Sequence, residues 1–80
     1  MELKRQVQYT VIYEQGENHW GAYVPDLPGC TSSGKTLEDA KHHVLEAIEL
    51  WIEVALEEGL PIPLPTTEAA PVTFEIPVAA

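Results

Sequence analysis

The sequence is poor in basic residues. Its 80 residues include four lysines and arginines against 13 aspartates and glutamates, which gives a formal net charge of −9. The four bases are Lys4, Arg5, Lys35 and Lys41, and only the first two are neighbours. Proteins that bind DNA or RNA need lysine and arginine to neutralise phosphates. The composition therefore argues against direct contact with nucleic acid and favours a basic protein as partner, because opposite charges speed association.

Cysteine and long apolar segments are also scarce. Cys30 is the one cysteine, so no internal disulfide can form, as is usual in a reducing compartment. No apolar run approaches the roughly 20 residues that span a bilayer. Residues 1–6 contain no apolar signal region. We therefore expect a cytoplasmic protein without a membrane segment.

Common catalytic motifs are missing. The chain contains neither a glycine-rich phosphate loop nor the Gly-x-Ser-x-Gly motif of a serine nucleophile. His42 and Glu46 stand four residues apart, which fits an ion pair on a helix, and no cysteine or second histidine at metal-ligand spacing supports them. Cys30 lies in an apolar turn, where cysteine is usually a small core residue. We expect no catalytic residue, no metal and no cofactor.

The residues that are present fit one small domain with a marginal core. Hydrophobic residues make up 45% of the chain, which is ordinary for a folded protein. A domain of this size buries only about 60% of the surface that its unfolded chain exposes. Self-association would add to that core, and we expect a homo-oligomer, either a dimer or a tetramer.

Alternating apolar residues predict strands. Period-two patterns occur at about residues 6–13, 19–24 and 72–78, and we place a further short strand at about residues 30–33. A hairpin loop with Gly16 joins the first two strands. Pro77 places the last strand at a sheet edge or close to its own end.

A helix is predicted over about residues 37–58. Thr36 is a suitable N-cap, Asp39 stands at the third helical position, and Gly59 provides the stop. Apolar residues at three- and four-residue spacing predict the buried face. Its large members are Leu37, Val44, Ile48 and Trp51.

Leu45, Ile52 and Leu56 form a second apolar stripe beside that face. Two interpretations stay open. The loop after the helix folds back and covers these side chains, or they form a subunit interface.

The predicted order is β-β-β-α-β, a two-layer α+β fold with one helix on one face of the sheet. If the first three strands form a meander, a right-handed crossover through the helix sets the fourth strand parallel to the first. The sheet would then be mixed.

The middle of the chain carries a family resemblance. It reads Tyr23-Val24-Pro25-Asp26-Leu27-Pro28-Gly29-Cys30 and, after a short gap, Gly34-Lys35-Thr36-Leu37-Glu38-Asp39-Ala40. These segments resemble the HicB family of antitoxin-like proteins, and the resemblance covers roughly residues 7–58. One departure is Lys35, where the family often has an acid.

The resemblance implies a truncated ribonuclease-H-like sheet and a partner. HicB proteins neutralise a small basic ribonuclease, the HicA toxin, by covering its active surface. Many also carry a DNA-binding domain after the last strand. The residues after Pro71 are too few for one, so we expect none in this sequence.

We expect the partner to be bound by residues at loops and element ends, where binding residues concentrate. They are Glu14, Glu17, Asp26, Leu27 and Glu38. Two alternatives remain. One is a self-assembling module of the same family without a toxin. The other is a degenerate nucleic-acid hydrolase that uses Asp26, although enzymes with that fold hold a metal between several clustered acids.

Overall fold

Three strands and one helix make up the regular structure of the computed structural model, which describes residues 5–78. They are β1 (Ile12–Gln15), β2 (Trp20–Tyr23), β3 (Thr31–Gly34) and α1 (Leu37–Glu57). The strands form an antiparallel meander in the order β1-β2-β3. α1 packs on one face of this sheet, mainly over β3. The predicted α+β fold with a single helical layer is confirmed.

The predicted fourth strand does not join the sheet. Within residues 5–78, residues 72–78 pair with no other strand, so the sheet is antiparallel throughout and not mixed. The alternation of apolar residues in this segment is real, but a strand also needs a neighbour for its backbone groups. Pro71 and Pro77 weaken the segment further, because each lacks a backbone donor.

The first strand lies later in the chain than predicted, at Ile12–Gln15 instead of about residues 6–13, and its start is set by the early end of β2. Ile12 of β1 pairs with Tyr23, the last residue of β2. Pro25 follows two residues later and has no N–H with which to continue a ladder. Residues 5–11 therefore run past the end of β2, although Tyr9 and Val11 still pack against the core.

Both ends of α1 follow the predicted chemistry. The Thr36 hydroxyl accepts a hydrogen bond from the Asp39 N–H at 3.1 Å. At the other end Gly59 has φ +67°. Its N–H donates to the Leu56 carbonyl at 3.3 Å, and the Leu60 N–H donates to the Ala55 carbonyl at 2.8 Å. This pair of bonds is a Schellman motif. Within residues 5–78, no helix has the length and apolar character to cross a membrane.

The core lies between α1 and the sheet and reaches into the turn after β2. Val44 and Leu27 are fully buried, and Ile48 and Trp51 pack against the buried cluster. The other buried members are Ala22, Val24, Cys30 and Ala40. The helical stripe predicted from spacing is thus the packed face, with Leu37 half-buried at its start.

The last described residues project from this body. The radius of gyration is 16.3 Å, and the longest dimension is 65 Å against 26 and 19 Å for the other two. A compact chain of this length has a radius of gyration of about 12 Å. We refer to residues 68–78 as the arm; every one of them is exposed.

Candidate partner-binding surface

The turn between β2 and β3 is closed by its own backbone. The Val24 N–H donates to the Cys30 carbonyl at 3.1 Å, and the Leu27 and Cys30 N–H groups donate to carbonyls within the same turn. Gly29 has φ +79°, which suits glycine. This path turns Leu27 into the core, where it is fully buried. Leu27 therefore has no side-chain surface to offer a partner in this conformation.

Asp26 extends from the same turn and holds the segment that follows the helix. Its carboxylate accepts hydrogen bonds from the N–H of Thr66 at 3.0 Å and of Thr67 at 3.0 Å. The two hydroxyls donate as well, Thr66 Oγ1 at 2.7 Å and Thr67 Oγ1 at 3.2 Å. We call these three residues the Asp26 latch. Both oxygens of the Asp26 carboxylate therefore already accept hydrogen bonds from the same chain.

The latch favours the ionised carboxylate. Hydrogen bonds from the Thr66 hydroxyl and then the Thr66 N–H lower the pKa of Asp26, and those from Thr67 add to the effect; partial burial opposes them. Donors that point at a carboxylate stabilise its charged form. Asp26 therefore serves as an anionic anchor for the segment at neutral pH.

Two more hydrogen bonds hold the same region. The Tyr9 hydroxyl donates to the Pro63 carbonyl, and the Thr10 hydroxyl donates to the Thr67 carbonyl at 2.7 Å. Together with the latch they bring residues 63–67 against the segment before β1. The chain is thus fastened to the body up to Thr67, and the arm begins at the next residue.

The strand register places the other predicted acids at the opposite end of the sheet. Gln15 pairs with Trp20, and Trp20 pairs with Gly34, so the β1–β2 hairpin and the end of β3 meet there. The three remaining predicted acids, Glu14, Glu17 and Glu38, are exposed at this end of the sheet. Asp26 and Leu27 lie at the other end, in the β2–β3 turn, so the five residues do not form one cluster. We call Glu14, Glu17 and Glu38 the acidic end.

Among residues 5–78, no helix covers the second face of the sheet. Because side chains alternate along a strand, Glu14, Tyr23 and Thr31 lie on the face opposite the one that packs against α1. A shallow depression of about 440 Å³ opens beside the hairpin, lined in part by Glu14 and His19. The acidic end is therefore continuous with an uncovered sheet face.

The outer face of α1 is acidic. Glu46, Glu49, Glu53 and Glu57 are exposed along it and repeat at three- and four-residue spacing. Like charges at this spacing repel, and the last turn of the helix contains no base to offset its dipole. His42 Nε2 lies 3.1 Å from a Glu46 oxygen, which is the predicted helix-face pair.

The two flanks of α1 are both apolar and partly exposed. On the predicted flank, Leu45 is 60% exposed and Leu56 66%, while Ile52 is half-buried. The segment after the helix therefore leaves Leu45 and Leu56 uncovered. On the opposite flank, Leu50 is 60% exposed and Val54 39%. This second flank was not predicted, although Leu50 and Val54 stand four residues apart.

The described residues bring together no group suited to metal binding. Residues 5–78 contain no cluster of three or more histidine, cysteine, aspartate or glutamate side chains that could hold an ion. Burial raises the pKa of the Cys30 thiol, which favours the unreactive protonated form. Asp26, the residue on which the hydrolase alternative rests, is hydrogen-bonded to Thr66 and Thr67.

Fold and surface together define a small acidic α+β module with an uncovered sheet face. Residues 9–73 match the model of a protein family described as the HicB-like antitoxin of bacterial toxin–antitoxin systems. The chain belongs to this family, as the resemblance predicted. A UPF0150 protein of Synechocystis is 41% identical over 61 residues, which cover 75% of this chain and 77% of that protein.

Two further comparisons involve named antitoxins. Antitoxin HicB 2 of Photorhabdus laumondii is 27% identical over 82% of this chain, and the match spans 48% of that protein. Among solved structures, a chain from a HicA3 and HicB3 toxin–antitoxin complex matches with a TM-score of 0.65 and 30% identity. That match covers 75% of this chain and 70% of the other.

Proposed function

We propose that this chain is a non-catalytic antitoxin that neutralises a small basic ribonuclease of the HicA type. The supporting observation is the solved HicA3 and HicB3 complex, which contains a chain of the same fold. Charge supports it independently, since a net charge of −9 suits a basic partner and not a nucleic acid.

We place the contact at the acidic end and the adjoining uncovered sheet face. Glu14 and Glu17 are exposed there, so a basic partner can approach them without displacing any part of this chain. Lys41 Nζ lies 3.6 Å from Glu38, an exposed pair that contributes little to stability and can be exchanged for an intermolecular pair. Asp26 and Leu27 would support binding indirectly. Asp26 fixes the turn through the latch, and Leu27 anchors the same turn in the core.

The test uses a HicA-type ribonuclease, first the basic protein encoded beside this chain's gene. Inhibition of RNA cleavage and the association rate are measured with the unmodified chain and with the double variant Glu14→Lys, Glu17→Lys. We expect the double variant to slow association by about tenfold or more at low salt, because charges at an interface steer encounter. The loss should shrink when added salt shortens the screening length.

A matched control distinguishes the effect of the mutated position from the effect of the change in net charge. The double variant Glu49→Lys, Glu53→Lys changes the net charge equally, but on the outer face of α1. It should retain most of the association rate. Equal slowing by both variants would show that only total charge matters, and failure of the unmodified chain to inhibit any HicA-type ribonuclease would end the proposal.

The self-assembling module remains the second candidate. The observation that favours it is the amount of exposed apolar surface, above all on the arm, where Phe74 is 81% exposed and Ile76 80%. Single exposed apolar residues are normal, whereas a row of them marks an interaction surface.

A further inference from the structure

The arm has one apolar face, and the described part of the chain, residues 5–78, leaves this face exposed. Val72, Phe74, Ile76 and Val78 are 73–85% exposed and alternate with Thr73, Glu75 and Pro77. An extended chain places such alternating side chains on one side. The arm therefore has the side-chain alternation of a β-strand, but no strand among residues 5–78 pairs with it.

A groove elsewhere on the molecule has the complementary features. It lies between β3 and α1, has a volume of about 410 Å³, and is lined chiefly by Cys30, Thr31, Leu50, Trp51, Val54 and Leu60. We call it the β3 groove. Leu50 and Val54, the unpredicted flank of α1, form part of its wall beside Thr31, the first residue of β3.

Within the described residues 5–78, no strand pairs with the outer edge of β3. In an antiparallel pair, successive residues direct their backbone groups alternately toward and away from the neighbour. The Val24 N–H donates to the Cys30 carbonyl, so Cys30 and Ser32 face β2 while Thr31 and Ser33 face outward. The Ser33 carbonyl lies 2.7 Å from His43 Nδ1 and keeps a second lone pair. Such an edge invites pairing.

We propose that the arm of one copy docks in the β3 groove of a second copy, adding a strand beside β3 and forming a strand-exchanged dimer. The segment between Pro71 and Pro77 is free of proline and long enough to pair with the four residues of β3. Its apolar side chains would face Leu50 and Val54, which line the groove. This inference does not depend on the proposed function.

The distribution of charge favours a second copy of this chain over a basic protein as the occupant of the β3 groove. The chain has a net charge of −9, yet none of the residues that line the β3 groove is charged, and Glu75 is the one charged residue after Glu68. Two copies can thus meet here without bringing their acidic surfaces together. A basic protein would gain nothing from a neutral groove and would be drawn to the acids elsewhere.

The test is sedimentation velocity on the full chain at about 10 to 100 μM, where specific homodimers are normally populated. We expect the unmodified chain to be a dimer. Leu50→Glu in the groove and Phe74→Glu on the arm should each raise the dimer dissociation constant about a hundredfold or more. Each has a matched control: Leu45→Glu on the other flank of α1, 60% exposed like Leu50, and Thr73→Glu on the other side of the arm. Both controls should remain dimers.

A mixing experiment tests the exchange itself. The Phe74→Glu chain keeps an intact groove and the Leu50→Glu chain keeps an intact arm, so an equimolar mixture can rebuild one of the two contacts. We expect the mixture to form heterodimers at concentrations at which each variant alone is monomeric. A monomeric unmodified chain, a Phe74→Glu variant that still dimerises, or a Leu45→Glu variant that dissociates would each overturn the proposal. The last result would assign the interface to Leu45, Ile52 and Leu56 instead.

Discussion

The first two strands and the arm have similar sequence patterns and different structures. In the hairpin, residues from Trp20 to Tyr23 pair on both sides, with β1 and with β3. In the arm, Val72 and Phe74 begin an equally regular alternation, but no strand among residues 5–78 pairs with it. Alternation therefore specifies which side of a segment is apolar, whereas a ladder depends on a neighbouring backbone.

The two regions also differ in how the chain is held. The turn at Pro25–Gly29 is fixed by its own hydrogen bonds and by Leu27, which is buried in the core. The arm begins directly after Thr67, where the Asp26 latch and the Thr10 hydroxyl make the last side-chain hydrogen bonds to the body among residues 5–78. The boundary between the folded body and the arm thus lies at Thr67. The largest and the smallest of the three effects predicted below test this boundary, and the second tests the packing of the body.

The largest expected effect is a difference in the free energy of unfolding between a substitution in the body and one in the arm. Leu27→Ala removes a fully buried side chain and should lower the free energy of unfolding by about 2–5 kcal/mol. Phe74→Ala should change it by less than about 0.5 kcal/mol, because the ring is 81% exposed. Urea unfolding of the two variants should be compared in chains that also carry Leu50→Glu. This change disrupts the proposed docking groove, so that docking of the arm in a second copy does not affect the result.

Similar losses for both substitutions in that background would contradict the division. They would mean that the arm packs on its own body and contributes to one cooperative unit.

The second effect tests how tightly α1 is seated on the sheet. A Cβ atom on Gly34 would lie 2.5 Å from the Ala40 nitrogen and 2.6 Å from the Asp39 Cβ atom, so the helix or β3 must shift. We expect Gly34→Ala to destabilise the chain by about 1–3 kcal/mol, the usual range for overpacking. Thermal unfolding measures the change.

Gly21 in β2 is the matched control. A Cβ atom there would approach no atom more closely than 4.0 Å, at the Glu14 carbonyl. Gly21→Ala should therefore stay within about 0.5 kcal/mol of the unmodified chain. If Gly34→Ala were equally harmless, the close approach of helix and sheet would not exist in solution.

Local sequence chemistry was sufficient to predict the bounds of the helix and the existence of the hairpin, although the position of β1 was wrong by several residues. Thr36 and Gly59 mark the ends of α1, and Val44, Ile48 and Trp51 mark its packed face, because caps and helical spacing act over a few residues. The apolar turn expected around Cys30 is present as well, and its backbone hydrogen bonds join Val24, Leu27 and Cys30.

The long-range features could not be predicted in the same way. The Asp26 latch joins residues about 40 positions apart, and no local pattern links Asp26 to Thr66. The division of the predicted acids between two ends of the sheet depends on register, which only the paired backbone reveals. The missing fourth strand depends on whether an edge is within reach, a property of the assembled fold and not of the segment.

The smallest effect concerns the boundary itself, where the Asp26 latch holds Thr66 and Thr67. The pKa of Asp26 is lowered in the folded chain, first by the Thr66 hydroxyl. A group with a depressed pKa stabilises the folded state above its unfolded pKa of about 3.9 and loses that contribution as pH falls through the lower, folded value. We therefore expect the NMR signals of the Thr66 and Thr67 amides to be constant at neutral pH and to move together below about pH 4. Thr66→Val removes the hydroxyl with little change in shape and should raise the pKa of Asp26 toward its ordinary value, so that the Thr67 amide titrates at higher pH. Asp26→Asn should abolish the transition at both amides. Amides that titrate identically in all three chains would show that the latch does not form in solution, and the arm would then begin well before Thr67.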